Sequence, residues 1–159
     1  GPRAIAVAYP ERANLAWDAN QMCLKLIWHG DFIDASKHWV DRGSGFQGPA
    51  GDDVRVLPDG PPFLTSEGAW PKESGKAAGY RFKGYQLDKK GRPTFLYSFG
   101  DVEVSDFFEA RADKAPILMR TLTLEAKVPP AILYFRDREV KQKVVFENGN
   151  ANIKVSYTW

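Results

Sequence analysis

The sequence has little of the residues that build disulfides and metal centres. Its 159 residues include one cysteine, Cys23, and two histidines, His29 and His38. A single cysteine excludes an internal disulfide and a cysteine-rich zinc site. Covalent haem attachment needs a C-x-x-C-H sequence, and the chain has none. We therefore expect the chain itself to hold no metal and no cofactor.

Long hydrophobic runs and an excess of one charge are also lacking. The chain has 22 Lys and Arg against 20 Asp and Glu, which gives a net charge of +2. Nucleic-acid binding and attraction to anionic membranes usually need a basic stripe or patch. No apolar run approaches the roughly 20 residues that span a bilayer. We therefore expect the protein to bind neither nucleic acid nor membranes.

Aromatic residues and period-two alternation are abundant, and both are typical of strands. Turn signals separate the alternating segments, and Asn148-Gly149 is the strongest hairpin signal among them. The pattern predicts an all-β fold, an antiparallel β-sandwich of about ten strands, with a closed β-barrel as the alternative. The predicted strands are Ala4–Tyr9, Leu15–Trp17, Met22–Trp28, Val54–Leu57, Tyr80–Leu87, Thr94–Phe99, Val102–Ala110, Ile117–Ala126, Ala131–Phe135, Lys143–Glu147 and Ala151–Trp159.

Glycine and proline are concentrated in one long irregular excursion over residues 43–79. Excursions of this length inside a domain are usually functional or disordered. The chain starts at Gly1 with no start Met and no signal peptide. We expect residues 1–159 to be a single module excised from a larger protein.

The richest segment for chemistry runs from Trp28 to Gly43. A flat indole can stack on the C–H face of a sugar, while Asp and Arg side chains bind its hydroxyl groups. The same tryptophans could instead pack in the core, and Arg42 could pair with Asp41. The predicted ligand-binding residues are Trp28, Asp31, Asp34, Trp39, Asp41, Arg42 and Trp70.

Signals for catalysis are weak, and we assign no catalytic residue. The Gly43-Ser44-Gly45 trio is too short for a G-x-S-x-G nucleophile elbow. Carboxylate pairs such as Asp31 and Asp34 suit glycoside hydrolysis, but surface turns carry such pairs routinely. Calcium binds carboxylate oxygens of the kind that Asp52, Asp53, Asp59 and Glu67 carry, but no loop has the spacing of an EF-hand.

Several motifs together resemble a domain appended to large secreted c-type cytochrome and sugar-dehydrogenase-like proteins of planctomycetes, verrucomicrobia and related bacteria. The matching segments reach to about Leu124 and are Arg3–Val7, Asn14–Ala19, Trp28–Ala35, Trp39–Gly43, Arg81–Phe95, Val102–Phe107 and Arg120–Leu124. The resemblance implies a periplasmic or extracellular setting and a neighbouring haem or dehydrogenase domain in the same chain. It implies no active-site residue, because the family has no assigned function.

These observations predict a non-catalytic ligand-binding or docking module of an exported redox protein. A polysaccharide or oligosaccharide is the first ligand to test, because the neighbours in the resembling proteins oxidise sugars. One alternative is a purely structural scaffold between domains that presents a cytochrome domain. Another is a small sugar-acting hydrolase or lyase that uses Asp or His from the same segment.

Overall fold

Strands are the only extended regular elements in the residues that the computed structural model describes, which are 4–33, 48–65, 75–138 and 140–159. In chain order they are β1 (Ala4–Ala8), β2 (Ala13–Asp18), β3 (Cys23–His29), β4 (Asp52–Val56), β5 (Phe63–Leu64), β6 (Tyr80–Leu87), β7 (Pro93–Phe99), β8 (Val102–Ala112), β9 (Pro116–Ala126), β10 (Tyr134–Asp137), β11 (Val140–Lys143) and β12 (Asn150–Thr158). Within these ranges, no helix is long and apolar enough to cross a membrane.

The strands form three antiparallel sheets. The first sheet has the order β1-β2-β3-β4, the long sheet has the order β12-β9-β8-β7-β6, and the small sheet has the order β11-β10-β5. In the long sheet, β6, β7, β8 and β9 pair in the order in which they follow one another in sequence, and β12 pairs with β9 at the edge. The predicted antiparallel β-sandwich is confirmed, and none of the three sheets closes into a barrel over the described residues.

Alternation along the strands decides which side chains form the core. On β7 the buried positions are Pro93, Phe95, Tyr97 and Phe99, with half-buried residues between them. β8 and β9 show the same alternation over most of their length. Because successive side chains of a strand point to opposite faces, this pattern gives the long sheet one apolar face.

Aromatic rings join the sheets across that face. Trp17 of β2 stacks on Phe95 of β7 with ring centroids 4.7 Å apart. Phe63 of β5 contacts both Phe99 of β7 and Phe135 of β10, at 5.2 and 5.5 Å. These rings bury large apolar areas, so they are the main packing contacts between the layers.

Most predicted strands are present with shifts of a few residues at their ends. The described part of the excursion over 43–79 contains two strands, β4 and β5. β4 was predicted, whereas the two-residue β5 is too short to produce an alternating pattern. β11 was also missed, because all four of its residues are exposed.

The predicted hairpin Lys143–Glu147 with Ala151–Trp159 is wrong in its first arm. Lys143 ends β11, the backbone N–H of Val144 donates to the carbonyl oxygen of Leu133 at 2.8 Å, and Glu147 forms an isolated bridge with Asn150. β12 instead pairs with β9 over nine residue pairs. The Asn148-Gly149 turn itself is correct, with φ of 51° and 80°. The strand predicted at Ala131–Phe135 begins later, at Tyr134.

Candidate functional site

The predicted ligand-binding residues divide into two groups. Trp28 and Asp31 lie at the end of β3 and just after it. The other five, Asp34, Trp39, Asp41, Arg42 and Trp70, lie outside the described residues. The site is therefore built from what surrounds the end of β3.

Trp28 is a core residue in this structure. Its side chain is 2% exposed, and its indole stacks on Phe32 with centroids 5.9 Å apart. The indole N–H donates to the carbonyl oxygens of Asp31 and Phe32, at 3.0 and 3.1 Å. The buried ring fixes the turn after β3 and offers no open face to a sugar, so we leave it out of the site.

The chain after β3 passes very close to β4, and a glycine makes this approach possible. A Cβ on Gly51 would lie 2.1 Å from the carbonyl oxygen of His29 and 2.8 Å from Cδ1 of Trp28. No other residue fits there without moving the backbone. Gly51 thus sets the start of β4 directly against the end of β3.

Asp31 is exposed and held by an ion pair. The Nη2 of Arg12 donates to its Oδ1 at 2.9 Å. The backbone beneath this pair is fixed by Asn14, which is buried and donates from Nδ2 to the carbonyl oxygen of Gly30 at 3.1 Å. The backbone N–H of Gly30 donates to the carbonyl oxygen of Arg12 at 2.8 Å. The Arg12–Asp31 pair therefore projects from an anchored turn.

A surface depression of about 370 Å³ opens next to this pair. Three parts of the chain form it: the β1–β2 connection, the facing ends of β3 and β4, and the β8–β9 connection. The lining residues are Glu11, Arg12, His29, Gly30, Asp52 and residues 112–116. The depression combines cationic hydrogen-bond donors and anionic acceptors with the apolar surface of Ala115 and Pro116.

His29 connects the depression to an aromatic cluster. Its Nε2 lies 3.0 Å from Oδ2 of Asp53, and its ring packs against Trp159 with centroids 5.5 Å apart. The Trp159 indole N–H donates to the carbonyl oxygen of Asp53 at 3.2 Å. The guanidinium of Arg55 lies 5.9 Å from the same indole. Trp159 is half-buried, and it contacts the lining residue His29 without lining the depression itself.

Sequence reasoning did not include Arg12, Asp52 or Trp159 in the site. Trp159 follows β12, a strand of the long sheet, and only the packing of the sheets brings it to β4 of the first sheet. No spacing in the sequence signals that approach. His29 did stand out by composition, whereas His38 lies outside the described residues.

A second polar cluster lies in the core. Asp106 and Arg120 are 0% and 3% exposed. The Nε and Nη2 of Arg120 donate to the two Asp106 carboxylate oxygens at 2.8 and 2.7 Å. Trp17 donates from Nε1 to the same carboxylate at 3.3 Å. Burial alone would lower the pKa of Arg120, but the charge and hydrogen bonds of Asp106, together with Tyr157 and Tyr97, outweigh burial, and the pKa lies well above its ordinary value.

This core cluster continues toward β10. The Nη1 of Arg120 donates to the Tyr157 hydroxyl oxygen at 3.3 Å, and the Tyr157 hydroxyl donates to Oδ1 of Asp137 at 2.7 Å. Arg138 donates to Oδ2 of Asp137 from Nε and Nη2, at 3.1 and 3.0 Å. The chain of contacts therefore leads from the centre of the sandwich to the surface at Arg138.

The described residues contain no group of three or more His, Cys, Asp or Glu side chains placed to hold a metal ion. The free thiol of Cys23 is buried. Burial raises its pKa to about 11, so the thiol is neutral at physiological pH and a poor nucleophile.

Comparisons with known proteins add no assignment. No protein-family model matches the chain, and no match was found among curated proteins or solved structures. The resemblance to the domain of secreted cytochrome and sugar-dehydrogenase-like proteins therefore remains a prediction, and the function must be argued from the geometry.

Proposed function

We propose that this chain is a non-catalytic ligand-binding module whose ligand is a carbohydrate, bound in the depression beside His29. The observation that supports this most is the set of anchored polar pairs at one concave surface. Arg12 pairs with Asp31 and His29 with Asp53 at hydrogen-bond distance, and Arg12, His29 and Asp52 line the depression.

Sugar recognition needs donors and acceptors in fixed positions, because each hydroxyl both donates and accepts. The depression offers donors on Arg12 and Lys114 and acceptors on Asp52 and Asp113. Positions that are fixed before binding reduce the ordering cost of association. The arrangement suits a polar ligand better than a hydrophobic one.

An aromatic face completes the chemistry that a sugar requires. Trp159 packs on His29, a lining residue of the depression, and is held by its hydrogen bond to the backbone of Asp53. It replaces Trp28 in the stacking role that the sequence predicted. Tryptophan combines an apolar face with a polar N–H, which suits a surface that is partly wet.

The setting forms part of the same proposal and depends on the family resemblance alone. The module would work in the periplasm or outside the cell, attached to a haem or dehydrogenase domain. Its role there would be to keep a polysaccharide or oligosaccharide near the redox domain.

Isothermal titration calorimetry with a panel of soluble polysaccharides tests this proposal. We expect saturable binding of at least one polysaccharide, weakened about tenfold or more in Arg12→Ala and in Trp159→Ala, since each loss removes about 1.4 kcal/mol or more. Arg81→Ala, an exposed arginine on β6, is the matched control and should bind like the parent. Absence of binding across the panel, or equal binding by all four proteins, would refute the assignment.

One observation favours the docking alternative as a second candidate. All five residues of the edge strand β4 are exposed, and Val56 is 69% exposed. Exposed apolar side chains on an edge strand favour pairing with another chain. If β4 docks a cytochrome domain, Val54→Lys with Val56→Lys will abolish binding to a c-type cytochrome while polysaccharide binding is kept. Unchanged cytochrome binding in that double variant would rule out this edge.

A further inference from the structure

We infer that a cavity between β3, β10 and the 57–62 turn binds an oxyanion, independently of the carbohydrate proposal. The cavity has a volume of about 20 Å³. Three arginines line it, Arg120, Arg136 and Arg138, together with Asp137, Cys23 and the turn. It lies at the start of β3, whereas the depression described above lies at the end of that strand.

Arg120 carries more N–H groups than the hydrogen bonds it makes. A guanidinium carries five N–H groups. Three of them bind Asp106 and Tyr157. Nη1 and Nη2 each make one of these bonds, which leaves each of them one further N–H. Since Arg120 is almost fully buried, bulk solvent cannot easily satisfy them, and buried donors are nearly always paired.

The cavity is large enough for one oxygen atom. A cavity needs about 10–15 Å³ of this volume to hold one water-sized atom. The observed 20 Å³ therefore admits a single oxygen atom. An oxyanion would place one oxygen inside, while its other oxygens stay at the mouth.

Two further arginines, Arg136 and Arg138, line the cavity. The Arg138 side chain is 45% exposed, and its Nη1 has no acceptor within the described part of the chain. Arg136 donates from Nη2 to the carbonyl oxygen of Asp59 at 2.6 Å. Both arginines line the cavity beside Arg120, and guanidinium groups are well matched to the oxygens of phosphate or sulfate.

The other lining groups oppose an anion only weakly. The Asp137 carboxylate is already bound by Tyr157 and Arg138, which compensates its charge. The Cys23 thiol remains neutral because burial raises its pKa to about 11. Burial also lowers the pKa of Arg136, and a bound anion would offset that loss of solvation.

Calorimetry and thermal unfolding with sodium phosphate, sodium sulfate, sodium acetate and sodium chloride at matched ionic strength test the site. We expect phosphate or sulfate to bind saturably and raise Tm, while chloride does not. Arg138→Gln should weaken binding about tenfold, the effect of losing one charge-assisted hydrogen bond. Arg138 is exposed enough for this variant to fold, and Arg81→Gln is the control that should bind normally.

Each outcome decides a different point. Acetate binding along with phosphate would extend the ligand class to carboxylates, and phosphate or sulfate alone would restrict it to tetrahedral oxyanions. Equal Tm changes with all four salts, or phosphate binding that survives in Arg138→Gln, would overturn the inference and leave a water in the cavity. Carbohydrate binding by Arg138→Gln should be normal, so either proposal can fail without the other.

Discussion

Replacing Asp106 by asparagine should destabilise the fold more than any other isosteric change in the described core. The substitution keeps the size of the side chain and removes its charge. Arg120 would then be a buried cation without its counter-charge, since its other contact is the neutral Tyr157 hydroxyl. Breaking a buried ion pair by removing one partner typically costs about 3–5 kcal/mol.

The size of this loss can be compared with total stability. Domains are usually stable by about 5–15 kcal/mol, so Asp106→Asn would remove a large fraction. With a urea m-value of about 2 kcal/mol/M, a loss of about 4 kcal/mol lowers the midpoint by about 2 M. Equilibrium urea unfolding followed by far-ultraviolet circular dichroism measures this shift directly.

A double variant separates charge from packing. Asp106→Leu with Arg120→Met removes both charges and fills the space with apolar groups. Buried pairs replaced in this way often leave stability unchanged or raise it by about 1–4 kcal/mol. The reasoning is refuted if Asp106→Asn shifts the free energy of unfolding by less than about 1 kcal/mol, because Arg120 must then have another counter-charge or reach water.

Four further substitutions test other parts of the structure. The Tyr97 hydroxyl is buried without a partner in the described residues, so Tyr97→Phe should keep or raise the urea midpoint, whereas Tyr157→Phe loses two hydrogen bonds and should lower stability by about 1–3 kcal/mol. Gly149 has φ of 80°, and a Cβ there would lie 2.8 Å from the carbonyl oxygen of Ala126, so Gly149→Ala should lower Tm in calorimetry, with a loss of about 1 kcal/mol or more. Burial raises the pKa of Cys23 from 9.0 to about 11. The neutral thiol therefore contributes fully to stability below pH 9, and this contribution declines by about 1.4 kcal/mol per pH unit as pH rises toward 11. Between pH 8 and pH 10.5, Cys23→Ala should lose less free energy of unfolding than the parent.

The long sheet was predictable because its strands are local and regular. β6, β7, β8 and β9 follow one another through short turns, and each strand alternates between apolar and polar residues over most of its length. Such patterns identify both the strand and its buried face. The Asn148-Gly149 turn was equally clear, since both of its residues adopt positive φ.

The first arm of the last hairpin failed for a tertiary reason. Local sequence favours pairing of the two segments on either side of Asn148-Gly149. In the structure the second segment, β12, pairs instead with β9, which offers nine partners. A turn signal therefore locates a reversal of the chain without identifying the strand that pairs after it.

The candidate site was only partly predictable. The segment after Trp28 stood out for its polar residues, and in the structure Asp31 pairs with Arg12. The sequence allowed Trp28 either a core role or a sugar-stacking role, with core packing favoured for each tryptophan taken singly, and the structure buries it. Trp159 and Asp53 come together from different sheets, and the core pair of Asp106 and Arg120 spans two strands whose register no motif specifies.

The most direct test of the account is a two-dimensional ¹H–¹⁵N NMR titration with the polysaccharide that binds best in calorimetry. We expect saturable shift changes to cluster at Arg12, His29, Asp52 and the Trp159 indole N–H, while the Trp28 indole N–H stays fixed. Changes confined to β4 without those residues, or none at saturating polysaccharide, would contradict a carbohydrate site beside His29.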